Sequence, residues 1–256
     1  CIDAMYIAPI ACITATEKRC GKTQLLNLIG MLFLRPLPAS NITASALFRS
    51  IDAYSRTLLI DEADTFLSQN DEIRGMINSS HTRLSAFVIR TVGDNYEPKR
   101  FNTWSAIAIS GIGQLSDTLK DRSIIFKLRR KQSHEKRLRL RHGNKLHFHD
   151  IRRKLARWRE DHIDALKVFE PILPPMLNDR AQDNWEPLLT IADCIGGHWP
   201  QTARQAAISL SGVEQSAPSI NEELLADIQK IFLSKNTSKI LTVELLKCLC
   251  NNHEAA

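Results

Sequence analysis

The spacing of apolar positions changes several times along this chain. Four short runs, at 11–14, 57–60, 106–109 and 123–128, are apolar or β-branched almost throughout. Strands buried on both faces of a parallel sheet have this pattern. Elsewhere the spacing is helical. Leu25, Leu26, Leu28, Ile29, Leu32 and Phe33 form one stripe, which Pro36 ends, and Leu47, Phe48 and Ile51 form another within 44–53. The segment 36–38 is predicted to turn the chain, and 41–43 to form a brief strand. A helix is predicted over 71–85, with Asp71 as N-cap. Two strand-like runs, 86–92 and 100–104, flank Gly93-Asp94-Asn95-Tyr96-Glu97-Pro98-Lys99, which predicts a β-hairpin with an exposed tip. Further on, Asp150 is expected to cap a long helix. Two more helices follow over 179–195 and 199–210, with Pro200 in the first turn of the second. After a linker at 211–218, Ser219 or Asn221 caps one helix and Thr242 caps the last. Strands alternating with helices predict an α/β fold of three layers around a parallel sheet.

Two stretches carry chemistry. The run Ser55-Arg56-Thr57-Leu58-Leu59-Ile60 ends in Asp61 and Glu62, where a parallel strand would emerge at a ligand crevice. Adjacent acids on a strand end point in different directions, so one would hold a hydrated Mg²⁺ while the other orients or deprotonates a water. Upstream, a predicted strand leads into Thr16-Glu17-Lys18-Arg19-Cys20-Gly21-Lys22-Thr23-Gln24 and then a helix. In that context a Gly-Lys-Thr sequence is a phosphate-binding loop: backbone N–H groups over 17–24 cradle phosphate oxygens, Lys22 reaches the β and γ phosphates, and Thr23 ligates Mg²⁺. The usual pattern has glycine at its first position, where Thr16 stands here. The two halves of one magnesium-nucleotide site occur in the expected order, so ATP and Mg²⁺ are the predicted ligands. Ser110, after the third buried run, would stand beside the acidic strand end and orient the attacking water.

Composition adds few constraints. Hydrophobic residues make up 43% and charged residues 24% of 256 positions, as in ordinary globular chains. No apolar run reaches the length of a membrane span, and the N-terminus lacks a signal-peptide pattern. Six scattered cysteines suit a reduced, cytoplasmic protein better than a disulfide scaffold. The net charge of +6 allows an acidic partner such as nucleic acid. Basic residues cluster at Arg129, Arg130, Lys131, Lys136, Arg137, Arg139 and Arg141, and again at 152–159; a solvated helical face is the plain account of both. His142, His147, His149 and Asp150 fall in an unpatterned loop that does not read as a metal site. The opening on Cys1 leads us to expect a piece of something longer.

Taken together, these motifs resemble the AAA+ class of P-loop ATPases. More narrowly, the chain resembles the domain-of-unknown-function family numbered 3631, found in primase- or helicase-like proteins of phages, plasmids and integrated elements. The matching segments are 17–23, 57–64, 90–104, 111–113 with 119–124, and 179–204, so the likeness runs to about Gly212. It implies an ATPase core over 1–131, an α-helical lid over 132–213, and a helical extension over 214–256 that begins a further domain of winged-helix type. It also implies roles: Asp61 orients the Mg²⁺ water shell, Glu62 activates the attacking water, and Ser110 is a polar sensor. Arg122 would be an arginine finger on a neighbouring subunit's nucleotide. Arg180, preferred over Arg204, would be the lid's sensor arginine. The hairpin would line a central pore, where Tyr96, Lys99 and Arg100, at or beside its tip, hold DNA. The implied activity is Mg²⁺-dependent ATP hydrolysis by a homo-oligomeric ring acting as a helicase, translocase or DNA-remodelling module of a mobile-element replication protein. The alternatives are a scaffold or loader that binds ATP with little turnover, against which Glu62 speaks, and a P-loop kinase, against which Arg122 and the lid speak.

Overall fold

Among the described residues, five of seven strands pair into one parallel sheet. In chain order the first elements are β1 (Ile10–Ala15), α1 (Lys22–Leu32), β2 (Pro36–Pro38), α2 (Ala44–Tyr54), β3 (Thr57–Ile60), α3 (Ala63–Ser68) and α4 (Asp71–Ser79). Next come β4 (Phe87–Val92), β5 (Glu97–Asn102), β6 (Ile107–Ile112), α5 (Asp117–Lys120) and β7 (Ser123–Leu128). The helices α6 (Lys145–Val168), α7 (Asp179–Ile195), α8 (Trp199–Ser211), α9 (Ile220–Ser234) and α10 (Thr242–His253) complete the order. The sheet runs β2-β3-β6-β1-β7, and β4 pairs with β5 as a separate antiparallel hairpin. This computed structural model describes residues 1–39, 42–113, 116–136, 140, 143, 145–211 and 220–253. They fall in two compact units, Cys1–Gly212 and Val213–Ala256. The chain is therefore a mixed α/β protein. No helix among the described residues is long and apolar enough to cross a membrane.

The period of two along each strand divides the core. Ile10 and Cys12 of β1, Leu58 and Ile60 of β3, and Ile107 and Ile109 of β6 point to one face, where they meet Leu47, Phe48 and Ile51 of α2 and Ile73 and Ile77 of α4. Ile13, Leu59 and Ala108 point to the other, against Leu26 of α1. There α1 lies so close that a Cβ on Gly30 would sit 2.7 Å from Leu59 Cδ1. A third cluster joins Ile124 of β7 to Trp185 and Leu189 of α7 and Ala207 of α8. Burying side chains of this size is worth about 1.5–3 kcal/mol each. The Trp185 indole N–H donates to Ser211 Oγ at 2.9 Å, so its polar edge is satisfied as well.

Several boundaries differ from expectation. The early strand is Pro36–Pro38: Thr57 N–H donates to Arg35 O and Ala39 N–H to Leu59 O, each at 2.9 Å, whereas Ile42 and Thr43 are outside any strand and Asn41 is outside the described residues. Odd-numbered residues thus face β3, and both prolines turn their missing N–H to the open edge, where a strand tolerates them. Thr43 caps α2 instead, accepting from Ala46 N–H. Asn70 takes the cap position of α4, with Asp71 inside the helix, and α4 ends at Ser79, six residues early. Asp150 lies inside α6, and Thr242 is the first residue of α10. The hairpin turn spans only 93–96, so Tyr96 is at the tip while Lys99 pairs with Arg90 and Arg100 with Ile89, well along β5. Arg137, Arg139, Arg141, His142, Ser219 and most of the expected linker lie outside the described residues.

Candidate functional site

The carboxyl ends of β1, β6 and β3 lie side by side, and three predicted features converge there. Parallel pairing sets Ala15 against Ile112 and Ile60 against Ile109, so the end of β3 is two strand spacings, roughly 10 Å, from the end of β1. The chain leaves β1 toward β2 on one side of the sheet and leaves β6 toward β7 on the other. Ligand crevices of open α/β sheets form at such a reversal.

After β1, the loop 16–21 bends through two left-handed residues, Arg19 (φ 66°) and Gly21 (φ 88°). Glycine takes that conformation without strain. Gly21 is also the N-cap of α1 and offers no side-chain cap, so the first N–H groups of an eleven-residue helix remain open to an anion. The loop is held by its own contacts. Lys22 Nζ donates to Glu17 O at 3.1 Å, and the Cys20 thiol donates to the same carbonyl at 3.4 Å. Arg130, just past β7, donates to Lys18 O at 3.3 Å and pairs with the Glu17 carboxylate at 3.1 Å. Lys18, Thr23 and Gln24 are exposed.

Two strands away, at the end of β3, Asp61 Oδ1 accepts from the buried Ser110 hydroxyl and from Glu62 N–H. Ser110 is the fourth residue of β6, not the residue after it, and it acts on Asp61. Glu62 is exposed, takes a left-handed conformation (φ 52°) and is the N-cap of α3. A neighbouring acid that the motif reading did not single out, Asp64, reaches back to β6: its Oδ1 accepts from Ile112 N–H at 3.1 Å. A Cβ on Gly111 would lie 3.0 Å from that oxygen, so glycine makes the approach possible. Asp64 and Arg130 are joined to the site across 48 and 112 residues of sequence, and no local pattern signals such contacts. Chemically, the edge sets a lysine and open helical N–H groups, which suit an anion, opposite two carboxylates, which suit a hard cation.

The remaining predicted residues lie elsewhere. Arg122 precedes β7 at the amino edge of the sheet, where its carbonyl accepts from Ile10 N–H at 2.9 Å and its guanidinium donates to Thr118 O at 2.8 Å. A six-residue strand, roughly 20 Å, separates it from the loop of its own chain. Arg180 belongs to the same edge: it lies one turn before Asn184 on α7, whose side chain reaches the chain beside Arg122 and His81. That histidine is buried and bonds through Nε2 to Asn184 Oδ1 at 2.7 Å, while Asn184 Nδ2 donates to Asp121 O. Burial, more than any other influence, holds the His81 pKa below its usual value. Arg204 braces α7 to α8 through both oxygens of Asp193, at 2.6 and 2.7 Å, and also donates to Ile172 O. On the hairpin, Lys99 lies 5.2 Å above the Phe101 ring on the inner face, and Arg100 stacks at 3.8 Å on Phe87 on the outer one. Tyr96 is exposed at the tip.

The model of the family described as "Protein of unknown function (DUF3631)" matches residues 127–256, half of the chain. The chain belongs to this family. The match takes in α6 to α10 and includes the segment 179–204; the loop, the acidic strand end and the hairpin precede it. A relative from Saccharopolyspora erythraea, the "Uncharacterized 28.9 kDa protein in xis 5'region", is 36% identical over 115 residues, which cover 44% of this chain and 42% of that protein. The chain therefore spans less than half the length of this curated relative.

Proposed function

We propose that this chain is an AAA+ P-loop ATPase, with a core over 1–131 and an α-helical lid over 132–213, that hydrolyses ATP with Mg²⁺ in a homo-oligomeric ring. The observation that carries the reading is the meeting, on neighbouring strand ends, of the uncapped α1 N-terminus and Lys22 with Asp61, Glu62 and Ser110. The donor set fits a magnesium triphosphate: cationic and N–H groups on one side, carboxylates on the other. Thr23 and Asp61 would hold the metal, which when bound neutralises charge on the phosphate oxygens. Lys22 exchanges its bond to the Glu17 carbonyl for a phosphate oxygen. Ser110 fixes one Asp61 oxygen and so orients the carboxylate. Glu62, exposed beside it, orients and deprotonates the attacking water. Arg122, a strand's length from its own loop, and Arg180, at the same edge, serve a neighbouring subunit's site.

DNA is the proposed substrate of the motor, from the positive charge of the chain and the tip residue Tyr96. The name of the Saccharopolyspora relative, with its xis region, supports a mobile-element setting. The test separates binding from chemistry. Lys22→Ala should abolish nucleotide binding, measured calorimetrically. Glu62→Gln should bind ATP normally and release phosphate about 10²–10⁴ times more slowly. A Glu62→Gln protein that turns over at the native rate would remove Glu62 from its role. Failure of the unaltered chain to bind Mg-ATP would remove the whole reading.

A further inference from the structure

The amino edge of the sheet holds a cavity that the proposed reaction does not use. It measures about 480 Å³ and opens where β3 and β6 begin. Three arginines line it: Arg56 before β3, Arg83 between α4 and β4, and Arg100 on β5. Two carboxylates line it as well, and each has a partner within the protein. Asp3 is ion-paired with Arg159, and Asp52 accepts from the backbone N–H of Asn102 at 2.9 Å. Arg83 is pinned by its bond to the Asp3 carbonyl. The other two guanidinium groups rest on aromatic rings, Arg56 at 4.9 Å over Tyr54 and Arg100 at 3.8 Å over Phe87. Stacking fixes their planes and leaves their N–H edges for a ligand.

The buried polar atoms of the lining point to the ligand's chemistry. Among the described residues, Arg56 Nε, Trp104 Nε1 and Ser105 Oγ have no hydrogen-bond partner, although all three residues line the cavity. Ser105 is only 3% exposed. Folded proteins rarely leave such groups unpaired, and here three fall in one place. An indole N–H and a guanidinium N–H can only donate, so what they lack is an acceptor. Three guanidinium groups stand here against two carboxylates, one of them already paired with Arg159, and this excess of positive charge favours an anion as that acceptor.

We propose that this cavity is a phosphate-binding site, formed by Arg56, Arg100, the Trp104 indole N–H and the Ser105 hydroxyl. A phosphate group brings several strong acceptor oxygens to separate donors, and guanidinium forks match its geometry. The volume lies within the range of small-molecule sites and leaves room for a nucleoside attached to the phosphate. The group comes either from a free nucleotide-sized molecule or from a nucleic-acid strand. The site is independent of the loop at the opposite edge.

The experiment uses the full chain carrying Lys22→Ala, so that the loop contributes nothing. The readout is the Trp104 indole N–H resonance, assigned by its loss in Trp104→Phe. Inorganic phosphate, a nucleoside monophosphate and a short DNA single strand are titrated separately. The Trp104 signal should shift saturably with phosphate at millimolar concentration. Arg56→Gln combined with Arg100→Gln should weaken this by about tenfold or more, with the other indole signals unmoved as a check on folding. Tighter binding of the monophosphate than of the strand assigns a free small ligand, and the reverse assigns a strand. A Trp104 signal that none of the three moves overturns the proposal, and so does a shift that survives the double substitution unchanged in a folded protein. Should the double variant not fold, Ser105→Ala must weaken the shift for the proposal to stand.

Discussion

The two edges of the sheet are built from the same strands and differ in how their polar groups are used. At the carboxyl edge, Lys18, Thr23, Gln24 and Glu62 are exposed, and only the groups behind them are fastened: Ser110 to Asp61, Asp64 to β6, Arg130 to the loop. Where α7 meets the amino edge, polar groups are spent on one another. His81, Asn184 and the Asp121 carbonyl form a buried chain that ties α7 to the start of β7. The contrast separates positions that hold the fold from positions left available for a ligand. Arg122 and Arg180 cross the pattern. They stand at the amino edge, yet Arg180 is exposed and pairs loosely, at 4.0 Å, with Asp183. If they belong to an active site, it is one completed by another subunit. A head-to-tail contact in a ring brings opposite edges together in this way.

The largest expected effect tests this division of labour. Arg122→Ala should bind ATP as the unaltered chain does and lose on the order of 10³ or more in hydrolysis. A change confined to local stability, from loss of its bond to the Thr118 carbonyl, would instead lower the melting temperature and leave the rate of the folded protein intact.

Next in size is the support behind Asp61, the proposed metal ligand. Ser110→Ala removes one donor from Asp61 Oδ1, and the Mg²⁺ needed for half-maximal phosphate release should rise by about 10–100-fold. An unchanged Mg²⁺ dependence would put Ser110 among the packing residues.

The hairpin should give smaller effects, divided by position. Stacking on a single-stranded base is worth about 1–3 kcal/mol, so Tyr96→Ala at the tip should cost about tenfold or more in DNA affinity at fixed salt. Lys99→Ala with Arg100→Ala should lower the affinity less and flatten its salt dependence, because these charges lie along the hairpin over Phe101 and Phe87. Equal affinity of all these proteins across a salt series would remove the hairpin from the DNA interface.

The smallest effect belongs to the amino edge alone. Burial lowers the pKa of His81 from its ordinary 6.5, so the folded protein holds it neutral where the unfolded chain begins to protonate. Its contribution is fully present above pH 6.5 and is lost as the pH falls from there through the lowered folded value. His81→Gln should therefore flatten the fall in melting temperature between pH 7 and mildly acid pH, with nucleotide affinity at neutral pH unchanged. A pH profile identical to that of the unaltered chain would show that His81 does not control this loss.

How far the sequence could carry this account depends on the range of each interaction. The buried strands were legible because a parallel strand covered on both faces must be apolar throughout, and the positions of Lys22, Asp61 and Glu62 follow from where those strands stop. The strand at Pro36–Pro38 was not, since proline argues against a strand unless the open edge is known in advance. The same holds for the place of Lys99 and Arg100, which depends on a turn of four residues where seven had turn character. Asp64 against Gly111, Arg130 on the loop and the donors around Trp104 join residues far apart in sequence, and only packing brings them together.

The claim that opposite edges combine into one active site is tested most directly by mixing two inactive proteins. Glu62→Gln and Arg122→Ala are each expected to bind ATP and release little phosphate. Combined in equal amounts and allowed to exchange subunits, they should recover phosphate release, because some contacts join an intact Glu62 site to an intact Arg122 from the neighbour. Mixtures shown to form hetero-oligomers that remain inactive would contradict the account.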